Sequence, residues 1–205
     1  MKLFCQDKRG LTLIELLVSI GIFVLVSAAL ASILSVVFQA RTIIWEQLST
    51  QKEGRQIVQD FTNELRSATA SSIGAYSLES AQNDEIIFYS NIDSDSWRER
   101  IRYFLSDGIL QKGITKPSGT PLGYSTSTDE VITEMIHDVI NGTTTPVFYY
   151  YDENYTGSEN PMTLPIVLSE VRVVGIKLIL EENPRMSPAP LQVETKAQIR
   201  NLKSN

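Results

Sequence analysis

The chain has 205 residues, 42% apolar and 20% charged, a balance that suits a folded protein and excludes wholesale disorder. Its formal net charge of −6 argues against a nucleic-acid binder, which presents a basic face. The single cysteine, Cys5, precedes Gly10, so a chain cut after that glycine has no disulfide and no thiolate metal site.

Lys2, Lys8 and Arg9 stand before Gly10 with Asp7 as the only acid, so removing residues 1–10 moves the net charge from −6 to −8. No charged residue occurs from Leu16 to Ala40, and Leu16 to Phe38 is a run of 23 apolar and small side chains. A membrane-spanning helix needs about 20. Arg41 is the one basic residue that closely follows, which places the N-terminus in the cytoplasm and the remainder outside. One carboxylate, Glu15, lies at the head of this run. A lone charge in hydrocarbon costs roughly 2.5–3.5 kcal/mol on insertion scales, so Glu15 implies either a partner cation or a side chain that snorkels to the interface. Three readings of the segment compete. A plain single-pass anchor leaves Glu15 unexplained. A secretory signal would be cut at the small-x-small site Ala29-Leu30-Ala31, yet the apolar run continues through Ile33, Leu34, Val36, Val37 and Phe38. The third is a cut after Gly10, which keeps the helix in the mature chain.

The stretch Gly10-Leu11-Thr12-Leu13-Ile14-Glu15-Leu16-Leu17-Val18, after its basic leader, resembles the class III signal of type IV pilins and type II secretion pseudopilins. The resemblance implies that a membrane prepilin peptidase cuts after Gly10 and N-methylates the new first residue, Leu11. The family usually has phenylalanine at that place, so Leu11 is a departure. It also implies that Glu15 is an assembly contact, pairing with the terminal amine of a neighbouring subunit. Such a pair in low dielectric depends steeply on distance, and an unpaired member is costly, so it selects register more than raw stability. The implied partners are the prepilin peptidase, other major and minor pilin or pseudopilin subunits, an inner-membrane assembly platform and membrane lipid, with no nucleic acid. Major subunits often carry a proline near the place of Ser32. Here the first proline is Pro117, which fits a minor subunit better.

Ile44, Leu48, Val58, Phe61, Leu65 and Ala68 have spacings compatible with one helical face, so the helix is expected to run from about Leu11 to about Ser72. A separate anchor followed by a soluble helix is the alternative. Gly54 is the interior weak point, at roughly 1 kcal/mol relative to alanine. The expected organisation is a leader (1–10), a transmembrane helix half (11–38), an amphipathic helix half (39–72) and a β-rich domain (73–205). After Gly74 strands are expected at Glu85–Tyr89, around Arg98–Leu105 and Ile109–Lys112 with Asp107-Gly108 as a hairpin turn, at Pro146–Asp152, Val171–Leu180 and Val193–Leu202. Val131–Ile136 reads as a short helix or a strand. Lys116–Thr128 and Glu153–Met162 read as loops. The fold class is α+β, a long N-terminal helix packed on an antiparallel sheet domain, and this too is pilin-like. The order of these features resembles the larger minor pseudopilins of the J type.

No catalytic set emerges. The lone His137 has no cysteine partner, and neither nucleophile-elbow, zincin nor phosphate-loop motifs occur. No enzyme activity and no cofactor are expected. Asp93-Ser94-Asp95 and Asp152-Glu153-Asn154 are oxygen-rich turns, either solvated or able to hold calcium, and neither has EF-hand spacing. Tyr149, Tyr150, Tyr151 and Tyr155 are either strand residues divided between core and surface or a subunit contact. Asn141-Gly142-Thr143 and Asn154-Tyr155-Thr156 match the glycosylation sequon, a frequent chance pattern. The expected function is a minor pilin or pseudopilin that assembles into, or initiates, a pilus-like or secretion filament. The alternative is a single-pass, membrane-anchored extracytoplasmic binding module that does not polymerise.

Overall fold

The computed structural model describes residues 10, 12–93, 95–125, 129–142, 145–181 and 189–202. Leu11, whose amine the resemblance makes the methylation site, lies outside them, as do Cys5 and the basic leader residues. So do Ser94 of the first acidic turn and Thr143 of the first sequon. The chain divides into two compact units, 1–45 and 46–205.

Helix α1 spans Leu13–Arg66, 54 residues without interruption. It starts two residues after the expected Leu11 and ends six before Ser72. The end has a local cause and a distant one. Ser67 Oγ donates back to the Glu64 carbonyl at 2.8 Å, and Thr69 N–H leaves the helical ladder for the carbonyl of Tyr89 at 2.9 Å. The first unit contains the apolar part of α1, in which Leu16, Phe23, Leu25 and Phe38 are each more than half exposed. By length and composition α1 is long and apolar enough to cross a membrane.

In the second unit the buried face of α1 is Gly54, Ile57, Val58, Phe61, Thr62 and Leu65. Leu48 is 54% exposed and Ile44, in the first unit, 56%, so the expected face is real only from Gly54 onward. Among the described residues eight strands follow: β1 (Leu78–Ala81), β2 (Glu85–Ser90), β3 (Glu99–Ser106), β4 (Ile109–Thr115), β5 (Val131–Ile136), β6 (Phe148–Tyr151), β7 (Val173–Leu180) and β8 (Leu191–Gln198). They form two antiparallel sheets rather than one: a meander β1-β2-β3-β4-β5, and β6-β7-β8. β1 carries little alternation and was not expected. Val131–Ile136 resolves as a strand.

The β3–β4 hairpin turns on Asp107 (φ 50°) and Gly108 (φ 76°), the two left-handed positions that a two-residue type I′ loop requires. Along β3 the faces alternate as expected. Ile101 and Tyr103 are fully buried, and Leu105 packs at the core edge. Arg100 and Arg102 point the other way, to Glu79 and Glu85 at 2.8 and 2.6 Å. Phe61 is the centre of the core. Its ring lies 5.2 Å from Tyr103 and 6.3 Å from Phe88 of the first sheet, and 5.6 Å from Phe148 of the second. Aromatic pairs at these separations add about 0.5–1.5 kcal/mol beyond area burial. Gly54 is a close approach: a Cβ there would meet Leu180 Cδ1 at 3.0 Å and Val193 Cγ2 at 3.1 Å. Its helix cost therefore accompanies tight packing of α1 on the second sheet.

Candidate functional site

Gly10 is exposed and Thr12 immediately precedes the first helical residue, Leu13. Thr12 N–H and Thr12 Oγ1 both donate to Glu15 Oε2 at 3.0 Å, and Glu15 N–H donates in return to Thr12 Oγ1 at 3.4 Å. This is a capping box. The threonine is the N-cap, and the carboxylate three residues on reaches back to it, so each satisfies a helix-end donor. A negative charge in the first turn also suits the positive end of the helix dipole. Glu15 thus has a local partner within its own chain, and both donors use one of its two oxygens. Thr12 was missed in the sequence, although its signature, Thr-x-x-Glu before an apolar run, was legible there. Ser19 Oγ donates to the Glu15 carbonyl at 2.7 Å, so the next turn is also internally satisfied.

The remaining sequence candidates are dispersed through the second unit. His137 is exposed, with Glu134 Oε2 3.5 Å from its Nε2. Tyr150 belongs to the core, and its hydroxyl donates to the carbonyls of Gln82 at 2.7 Å and Glu85 at 3.2 Å. Tyr151 is buried beneath Tyr155, ring centroids 4.2 Å apart, with Lys196 Nζ 5.1 and 5.3 Å from the two rings. Tyr149 is half-buried. The cluster therefore divides between core and surface, as alternation requires. Asp152 and Asn154 bond to each other, with Asn154 N–H on Asp152 Oδ1 at 3.0 Å. Glu159 accepts from the N–H groups of Thr156, Gly157 and Ser158, and the Thr156 contacts foremost hold its carboxyl down at about 2.

Asn141 is not a free sequon residue. Its Nδ2 donates to the carbonyl of Lys177 at 3.0 Å and its Oδ1 accepts Ile179 N–H at 2.8 Å. Asp93 pairs with Lys116, and Asp95 Oδ2 lies 3.4 Å from the same ammonium.

The model of the prokaryotic N-terminal methylation motif matches residues 5–37. A search of curated proteins found no match to the chain. Among solved structures, a chain of the GspK-GspI-GspJ complex from the enterotoxigenic Escherichia coli type 2 secretion system is similar at a TM-score of 0.44 and 12% sequence identity. That similarity covers 73% of this chain and 97% of the other. The match to the prokaryotic N-terminal methylation motif takes in Gly10, the capping box and most of the apolar run, and its part from Leu13 onward lies on α1, which antiparallel sheets follow.

Proposed function

We propose that this chain is a minor pilin or pseudopilin, a structural subunit that enters or initiates a filament of the type IV pilus or type II secretion kind. The observation that carries the reading is the methylation motif over residues 5–37, placed so that Glu15 is the fifth residue after Gly10. In this reading the prepilin peptidase cuts between Gly10 and Leu11 and methylates the Leu11 amine. Leu13 to Phe38 holds the subunit in the cytoplasmic membrane with its second unit on the far side. The assembly platform and the other subunits then draw it into the filament.

Glu15 is the assembly contact. The capping box keeps its carboxylate satisfied while the subunit is alone, which lowers the cost of carrying a charge at the membrane edge. Both Thr12 donors occupy Oε2, so Oε1 is the oxygen presented to the terminal amine of a neighbour. The role is structural and not enzymatic: the only histidine is exposed beside Glu134, and the only cysteine lies in the leader.

Glu15→Ala tests the contact. The variant is expected to fold and to be cleaved, with circular dichroism unchanged, but to co-purify with sheared filaments at about a tenth of the wild-type level or less, the scale of losing one close charge pair. Wild-type incorporation of Glu15→Ala would remove the role assigned to this residue.

A further inference from the structure

We propose that Asp93, Asp95 and Glu99 form a site for a hard divalent cation of the calcium class, which takes the place of the Lys116 ammonium. The three side chains gather where the chain passes from β2 into β3. Each offers one carboxylate oxygen, and these oxygens lie within 4.8 Å of one another. An acidic turn alone is commonplace. What distinguishes this one is Glu99, which is fully buried. Its Oε2 accepts the N–H of Ile92 at 3.0 Å, while its Oε1 has no hydrogen-bond partner. A buried carboxylate oxygen without a donor is unfavourable, and nearly all such atoms in folded proteins are satisfied. A cation among the three carboxylates balances the buried Glu99 charge, which a single backbone N–H otherwise serves.

The two aspartates are already oriented for this. Asp93 Oδ1 accepts Asp95 N–H at 3.2 Å and Asp95 Oδ1 accepts Trp97 N–H at 2.6 Å. Their second oxygens converge on the ammonium of Lys116. One monovalent ammonium thus serves two of three carboxylates and leaves Glu99 unserved. Lys116 is 57% exposed, so its flexible stem can swing into solvent when a stronger cation arrives.

Three carboxylates suit a hard cation, and a loop-borne set suits calcium better than magnesium, which demands near-ideal octahedral geometry and dehydrates reluctantly. Waters complete the six to eight oxygens that calcium takes. With few protein ligands and two of them half-exposed, the affinity falls in the class of extracellular modules, about 10⁻⁴–10⁻³ M.

The test is calorimetric titration of the full chain in detergent micelles with calcium chloride and, separately, magnesium chloride. Wild type is expected to bind one calcium per chain with Kd of about 0.1–1 mM, and magnesium more weakly. Asp93→Asn and Glu99→Gln are expected to weaken calcium binding about tenfold or more, and Lys116→Met, which removes the competitor, to strengthen it several-fold. Asp93 is half-exposed, so its variant reports on the site even if Glu99→Gln fails to fold. Absence of saturable calcium binding up to about 10 mM in both wild type and Lys116→Met would overturn the site. So would an unaltered Kd in Asp93→Asn, and magnesium binding as tight as calcium would overturn the calcium-class assignment.

Discussion

Arg100 Nε and Nη2 donate to the two oxygens of Glu79 at 2.8 Å each, and the Tyr89 hydroxyl donates to it at 2.5 Å. Burial pushes the Glu79 carboxyl up, but the Arg100 and Tyr89 bonds outweigh it, and the net result lies below the ordinary value of 4.5. A carboxyl whose folded pKa is depressed contributes stability that is complete above its unfolded value and is lost as pH falls through the folded one. Wild type is therefore expected to lose Tm from about pH 4.5 downward. Glu79→Gln is expected to be less stable than wild type at neutral pH, with the gap closing on the acid side. Thermal melts across that range check this, and a gap that stays constant from neutral to acid would contradict it. The residues of this cluster lie 10 and 21 positions apart, so nothing local in the sequence brings them together. Thr12 and Glu15 are three apart, and their pairing could be read directly.

Among the elements, those with local causes were legible and those with distant causes were not. The Asp107-Gly108 hairpin, the alternating faces of β3 and the apolar β7 all follow from turn chemistry and period. The helix end depends on Tyr89 accepting Thr69 N–H, which no pattern near Ser67 announces. The edge of β7 beyond the end of β6 is covered by the segment around Asn141. Ile140 N–H donates to the Ile179 carbonyl at 2.8 Å, and the Asn141 side chain then covers Lys177 C=O and Ile179 N–H on β7. One amide here substitutes for a missing strand neighbour. Asn141→Ala leaves both backbone groups without that partner, at about 1–3 kcal/mol for a buried unsatisfied group. Its unfolding free energy is expected to fall by that amount, seen as a lower denaturant midpoint at unchanged slope, and an unchanged midpoint would show that the amide bonds are dispensable. Glycan addition at Asn141 is expected to be absent in the folded protein, because Nδ2 is already committed to the Lys177 carbonyl.

At the level of the molecule, the core consists of residues from Ile57 onward, all within the unit 46–205. That unit is expected to fold without the apolar segment. A chain starting at Glu46 should remain soluble without detergent and unfold in one cooperative transition; aggregation or a non-cooperative melt would show that residues 13–45 contribute to the fold. The apolar segment itself buries nothing within its membrane-length window, so its side chains await lipid or neighbouring helices.

In the function proposed above, the segment around Gly10 is both a processing address and an assembly contact. Its most direct test is the mass of the mature N-terminal peptide from cells with an active prepilin peptidase. A chain that begins with N-methylated Leu11 is expected. A chain that retains Met1, or one that begins at Ser32 after a secretory cut, would contradict it.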